Sequence, residues 1–336
     1  MKIIFYDIKN QEFDYLTQNM FSTLEPYFMK CALNEATYVD EKFLNAQAIC
    51  VFVSSVLTAK VLAKFKNLKY IFLRSTGYSN VDLKFCKENN IQVFNVPNYG
   101  SSSVAEYAFS LILSLSRKIN KAKMMVQKGI IEQEELIGFD LFNKTIGIIG
   151  FGSIGRKILN IAHGFAMDVL IYDVVKKGAY NFVELNELLE NSDIVVLSCP
   201  LNPQTMNLIN KDTISKMKKT SLLINVARGE IVNTKDLYFA LVNNKIQGAG
   251  LDVIECEEVL CQAYKTCQEY SSIKQVCLKK YFFIQKLLQL PNVIITPHNA
   301  YNTKEANKKI LDTTLFNIKQ MQNIDSNPSV KNLVLI

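Results

Sequence analysis

The chain has 336 residues, 49% of them hydrophobic, which suits two domains with a core each. Its formal charge of +7 is modest, and its lysines and arginines are scattered, so nothing resembles a nucleic-acid footprint. No stretch has ~18 uninterrupted apolar residues, so no membrane span is expected. The apolar run at Met1–Ile8 meets Asp7 too soon for a signal peptide, and a cytoplasmic protein is expected.

Residues 1–100 alternate apolar strand candidates with amphipathic stretches. The strands are expected at Lys2–Ile8, Ala48–Val53, Lys69–Leu73 and Gln92–Val96, with helical segments such as Asp14–Thr23 and Thr58–Phe65 between them. This rhythm predicts an α/β domain on a parallel sheet. Its strand-end loops Arg74–Tyr78 and Pro97–Gly100 are candidate site segments, because ligands of open parallel sheets lie off the carboxyl ends of strands. Ser103 and Glu106 form a capping-box pattern at the start of a long helix. That helix has a broad apolar surface at Val104, Tyr107, Ala108, Leu111, Ile112 and Leu115, to be buried between domains or subunits.

A second series of βα units begins at Thr145. Ile146, Ile148 and Ile149 form a buried strand, and Gly150, Gly152 and Gly155 follow at G-x-G-x-x-G spacing ahead of a helix. Such a turn lets backbone approach a pyrophosphate, while the helix N-terminus offers free N–H groups to it. The next strand, Val169–Tyr172, ends at Asp173, near the offset at which a carboxylate takes ribose hydroxyls. An acid there repels a 2′-phosphate and favours NAD over NADP, although Lys176 and Lys177 leave room for NADP. Strands are expected at 145–149, 168–172, 193–198, 221–225, 247–252 and 292–296, and a helix over 303–322 leads the chain back to the first domain.

The stretch 255–290 breaks the rhythm and should carry its own helices, with Phe282, Phe283, Leu287, Leu288 and Leu290 packing down. Cys256, Cys261, Cys267 and Cys277 cluster in it. Their spacing fits no zinc pattern, so no metal is expected, and all eight cysteines of a cytoplasmic chain should be reduced.

A nucleotide fold that transfers hydride also needs an acid or base at the substrate oxygen and a cation for a substrate anion. The chain has two histidines. His163 reads as a helix C-terminal residue. His298 follows a strand, where an imidazole can donate a proton near neutral pH, though position alone does not separate that role from a structural one. Arg228, just past another strand, has the fork to hold a carboxylate, or is a surface loop arginine. A carboxylate among Asp252, Glu255, Glu257 and Glu258 that bonded His298 would favour the imidazolium and orient the ring; spacing does not say which.

The order Arg228, Glu257, His298 behind the glycine turn resembles the D-isomer-specific 2-hydroxyacid dehydrogenase family. Residues 150–155, Val226–Gly229, Gly248–Asp252 and Ile295–His298 are similar to its signatures. Arg74–Asp82, Val96–Tyr99, Val104–Glu106 and Pro297–Ala306 are similar to motifs of its D-lactate dehydrogenase branch.

The resemblance implies a Rossmann-type NAD domain, 101–302, inserted into a discontinuous flavodoxin-like α/β substrate domain, 1–100 and 303–336, and a homodimer formed through the NAD domain. It implies reduction of a 2-keto acid, pyruvate first, to the D-2-hydroxy acid, with His298 as proton donor, Glu257 as its partner and Arg228 on the substrate carboxylate. Backbone at Thr76 and Gly77 would add hydrogen bonds, and Tyr99 and Tyr301 would close the pocket. For NAD it implies Gly150, Gly152, Ser153, Ile154 and Gly155 at the pyrophosphate and Asp173 at the ribose. Cys199, Pro200, Thr205, Val226, Ala227 and Asp252 would line the remainder. A bulkier 2-keto acid, as in hydroxyisocaproate or glycopeptide-resistance enzymes, is the alternative substrate. An NAD-sensing binding protein like the related corepressors is the alternative class. No nucleic-acid or membrane partner is expected.

Overall fold

The computed structural model describes residues 1–257, 275–322 and 331–334. The chain divides into two compact units, Met1–Tyr99 with Thr303–Ile336, and Gly100–Asn302.

The first unit holds β1 (Lys2–Phe5), β2 (Glu25–Phe28), β3 (Ala48–Val51), β4 (Tyr70–Leu73) and β5 (Gln92–Phe94). Among the described residues they form a five-stranded parallel sheet in the order β2-β1-β3-β4-β5. That is the flavodoxin-like order, with its switch point between β1 and β3. Strand β2 escapes sequence reading because Glu25-Pro-Tyr-Phe does not alternate and carries a proline; it lies on the edge, where a missing N–H is tolerated. Strand β1 stops short of the expected Ile8 because Asp7 turns to φ 59°. The Asp7 carboxylate then accepts from Ser54 (2.7 Å) and Ser55 (2.6 Å) beyond β3. The helix Lys304–Gln322 returns to this sheet, and its Leu311, Leu315 and Ile318 share a core with Ile3, Phe5, Phe72 and Phe94.

Arg74, at the end of β4, is wholly buried. One guanidinium nitrogen donates to the carbonyls of Tyr6 (2.6 Å) and Asp7 (3.0 Å), and the other lies 2.9 Å from the Glu12 carboxylate as a close ion pair.

The second unit holds β6 (Thr145–Ile149), β7 (Asp168–Tyr172), β8 (Ile194–Leu197), β9 (Leu222–Asn225), β10 (Gly248–Leu251) and β11 (Val293–Ile295). Among the described residues these pair in parallel in the order β11-β10-β9-β8-β6-β7. The helix Ser101–Ser116 buries Ala105, Ala108, Leu111 and Ile112 in one core with Ile146, Ile148 and Ile224. This sheet takes up the helix's buried face, while Tyr107, Leu113 and Leu115 are only partly buried against it. The expected capping box is not formed. The helix starts one residue after Gly100, which caps it without a side chain, so Ser103 and Glu106 lie inside it.

In the stretch 255–290, a helix runs Gln275–Leu288. Ile284 and Leu287, three apart, face the core, and Phe283 packs against Tyr238 and Phe239. Phe282 and Leu288 fall on the other side and are exposed, contrary to the expectation that all five apolar residues pack down. Glu258, Cys261 and Cys267 lie outside the described residues. Cys256 and Cys277 are joined in a disulfide, which corrects the expectation that every cysteine is reduced. Their Cα atoms, 5.8 Å apart, lie within the span a disulfide bridges.

Candidate active site

The glycine turn lies where strand order reverses in the second unit, with β7 on one side of β6 and β8 on the other. Gly150 has φ 94°, and a Cβ there would meet the backbone of Cys199 at 2.5 Å, so only glycine fits between the ends of β6 and β8. Ser198 fixes the same point by donating to the Gly150 carbonyl at 2.7 Å. A Cβ on Gly152 would meet no protein atom within 4 Å. The space there is open to a ligand, beside the first turn of the helix Ser153–Gly164, whose cap residue contributes no side-chain acceptor. Asp173 accepts from the amides of Phe151 (2.5 Å) and Val175 (2.8 Å), which holds its carboxylate beside the turn. These groups fit a dinucleotide: free amides for the phosphates and an acid for the ribose.

Ser153 is exposed and Ile154 half-buried at that helix start, while Gly155 packs inside. Past β8, Cys199 is buried, and burial pushes its thiol up to about 11, so it is an uncharged group at neutral pH. Pro200 accepts from the Thr205 hydroxyl at 2.7 Å, which closes the loop that follows.

The carboxyl ends of β9, β10 and β11 are neighbours, with Leu251 paired to both Asn225 and Ile295. Arg228 lies three residues past β9, Glu257 six past β10 and His298 three past β11. The buried Asn225 shapes the first loop by donating to the Arg228 carbonyl (2.9 Å) and accepting from Ala227 (3.0 Å). Val226 and Ala227 are buried beneath it, and the Arg228 side chain is exposed. Gly229 cannot carry a side chain, because a Cβ would collide with the backbone of Ile254.

Asp252 organises the third loop. Its carboxylate, buried, accepts from the Thr296 hydroxyl (2.6 Å) and the amides of Asn299 (2.9 Å) and Ala300 (2.9 Å). Its carbonyl accepts from the His298 amide at 2.8 Å. So held, His298 adopts φ 51° and presents Nδ1 to the Glu257 carboxylate at 3.0 Å. The other Glu257 oxygen accepts from the Ile254 amide at 3.2 Å. Both side chains are part-exposed, at 42% for His298 and 37% for Glu257, so the acid–imidazole pair is open to a small molecule. His163, by contrast, is exposed in the last turn of its helix.

The second unit thus gathers Arg228, Glu257 and His298 at adjacent strand ends and also holds the nucleotide candidates and Tyr301. Thr76, Gly77 and Tyr99 belong to the first unit. There the Thr76 hydroxyl donates to the Val96 carbonyl (2.8 Å), and Ser75 donates to the Gly77 carbonyl (2.7 Å). Sequence reading missed the parts of Asn225 and Thr296. Each is a short polar residue at a strand end, a signal shared with many loop residues.

The sequence model of the D-isomer specific 2-hydroxyacid dehydrogenase NAD binding domain matches residues 109–300. A relative named 2-hydroxyacid dehydrogenase homolog 1, from Schizosaccharomyces pombe, is 35% identical over 342 residues, covering 98% of this chain and 99% of its own. Among solved structures, D-lactate dehydrogenase from Aquifex aeolicus, complexed with NAD and lactic acid, superposes with a TM-score of 0.87 at 33% identity, over 99% of this chain and 98% of that one. A D-2-hydroxyisocaproate dehydrogenase superposes at 0.85 with 28% identity, over 99% of both chains. The chain belongs to the D-isomer-specific 2-hydroxyacid dehydrogenase family. It is an NAD-dependent enzyme of the class that interconverts 2-keto acids and D-2-hydroxy acids. No helix among the described residues is long and apolar enough to cross a membrane.

Proposed function

We propose that this enzyme reduces pyruvate to D-lactate, with His298 as proton donor. The observation that carries the reading is the 3.0 Å bond from His298 Nδ1 to Glu257, which leaves the opposite ring nitrogen for the substrate oxygen. NAD, when bound in its reduced form, supplies the hydride. Glu257 orients the imidazole through that bond. Arg228 holds the substrate carboxylate through paired hydrogen bonds and draws charge from the neighbouring carbonyl. Backbone at Thr76 and Gly77 also binds the carboxylate, and Tyr99 and Tyr301 enclose the methyl group. Gly150 and Gly155 shape the turn on which Gly152, Ser153 and Ile154 hold the pyrophosphate, and Asp173 holds the ribose. Cys199, Pro200, Thr205, Val226, Ala227 and Asp252 line the rest of the cofactor.

The likeness to a D-2-hydroxyisocaproate dehydrogenase supports a second substrate reading, a branched 2-keto acid. NADH oxidation with pyruvate, 2-ketobutyrate and 2-ketoisocaproate, with chiral analysis of the product, separates the two. The pyruvate reading expects the highest kcat/KM with pyruvate and D-lactate as product, and a preference for 2-ketoisocaproate overturns it.

We place the enzyme in the cytoplasm as a homodimer. The helix Ile119–Gln127 buries none of its residues, and Val126, Ile131, Ile137 and Phe142 near it are all more than 60% exposed. An apolar surface of that kind is the mark of a partner-covered face.

A further inference from the structure

The disulfide stands one residue from the acid proposed to serve His298. Cys256 lies between Glu255 and Glu257, just past β10, and Cys277 lies in the first turn of the helix Gln275–Leu288. Both cysteines are part-exposed. Of the free thiols, Cys50, Cys86 and Cys199 are buried, and burial raises their pKa values to about 12, 11 and 11. The bonded pair is therefore within reach of a solution thiol or disulfide, and those three are not.

The backbone around the bond is held unevenly. Glu255 is buried, accepts from the Thr234 amide at 2.9 Å and pairs with Lys280, one turn along from Cys277. Both contacts are made apart from the sulfur–sulfur bond. Cys256 is at φ 54°, a conformation that costs a residue with a Cβ. The bond to Cys277 is the covalent restraint on that turn, and the next residue is Glu257.

We propose that Cys256 and Cys277 are a reversible thiol–disulfide modification site, and that its oxidised form holds Glu257 against His298. Oxidation consumes a small-molecule disulfide. One cysteine thiolate attacks it, forming a mixed disulfide and releasing one thiol. The second thiolate displaces the other thiol as the protein bond closes. Two electrons pass to the small disulfide, and the two cysteine protons leave with the released thiols. A dithiol reverses both steps. A disulfide of this kind in a cytoplasmic enzyme fits a sensing role better than a structural one. The effect on turnover rests on the proposed role of Glu257, whereas the bond itself does not.

The test uses the full chain with Cys261→Ser and Cys267→Ser, so that no other pairing in the stretch competes. The protein is equilibrated with oxidised glutathione or with dithiothreitol. Peptide mapping under non-reducing conditions reads the bond, and kcat with pyruvate and KM for NADH read the effect. The expected result is a linked Cys256–Cys277 peptide that dithiothreitol removes. In the reduced form kcat is lower by about tenfold, as misplacing a positioned group does, at unchanged KM for NADH. Cys277→Ser should show the reduced kcat in both buffers. Absence of the linked peptide after oxidation overturns the site. Equal kcat in both forms overturns the control of turnover, and a redox effect that persists in Glu257→Gln overturns the route through Glu257. Full turnover of Glu257→Gln in either buffer instead counts against the catalytic reading of that residue, while the linked peptide still decides the site.

Discussion

Asp252→Asn removes the fixed point on which the His298 loop hangs. The carboxylate accepts three hydrogen bonds, two on one oxygen from Thr296 and Asn299 and one on the other from Ala300. An asparagine keeps one acceptor oxygen. In its better orientation it still serves Thr296 and Asn299, but its NH2 then faces the Ala300 amide, donor against donor. A buried bond to a charged acceptor is worth about 1.5–3 kcal/mol. With one bond lost and two donors opposed, the variant should be less stable by about 2–4 kcal/mol, a fall in Tm of roughly 5–10 °C for a unit of this size. Thr296→Val is the control, since it removes one hydroxyl and should cost about 1 kcal/mol. The loosened loop carries His298, so kcat should fall by at least about tenfold as well. Calorimetry and NADH-coupled turnover read the two effects. Wild-type Tm and turnover in Asp252→Asn would refute the assignment of Asp252 as the loop's organiser.

Glu12→Ala leaves the Arg74 guanidinium buried without its ion partner and should destabilise the protein by about 3 kcal/mol in urea unfolding; a cost below about 1 kcal/mol would show the pair to be dispensable. Burial opposes the charge of Asp193, but the Thr145 amide and Lys218 outweigh it and hold its carboxyl below the usual range. A lowered folded pKa means the contribution is full above the unfolded value of about 4 and is lost as pH falls through the folded one. Asp193→Asn should therefore cost about 1–2 kcal/mol at pH 7, and the gap to wild type should close as pH falls below about 4. A gap independent of pH contradicts this. With an alkylating reagent at neutral pH, the exposed Cys31 should label in native protein, while Cys50, Cys86 and Cys199 label only after unfolding; labelling of any of the three in native protein would contradict their burial.

The sheet of the second unit was legible because its strands are continuous apolar runs, with ends within one residue of their expected places. The edge strand β2 was not, since its Pro26 and lack of alternation resemble a loop until β1 is there to pair with it. Gly150, Arg228, Glu257 and His298 were legible as residues, because each follows a strand or a recognisable motif. The bond between Glu257 and His298 was legible only through the family resemblance, which makes Glu257 the partner of His298; spacing alone left several acids past β10 open, and the fold decides which one turns toward the ring. The helix Ser101–Ser116 shows the converse limit, since breadth of apolar surface says how much is buried but not what buries it. The disulfide was hidden by a sound rule about compartments, and spacing alone could not show that Cys256 and Cys277 meet.

The most direct test of the account is His298→Ala, assayed for pyruvate-dependent NADH oxidation alongside NADH binding by fluorescence titration. The account predicts a loss in kcat of at least about a hundredfold with NADH affinity near wild type. Turnover within a few-fold of wild type would contradict it, because the proton would then come from another group.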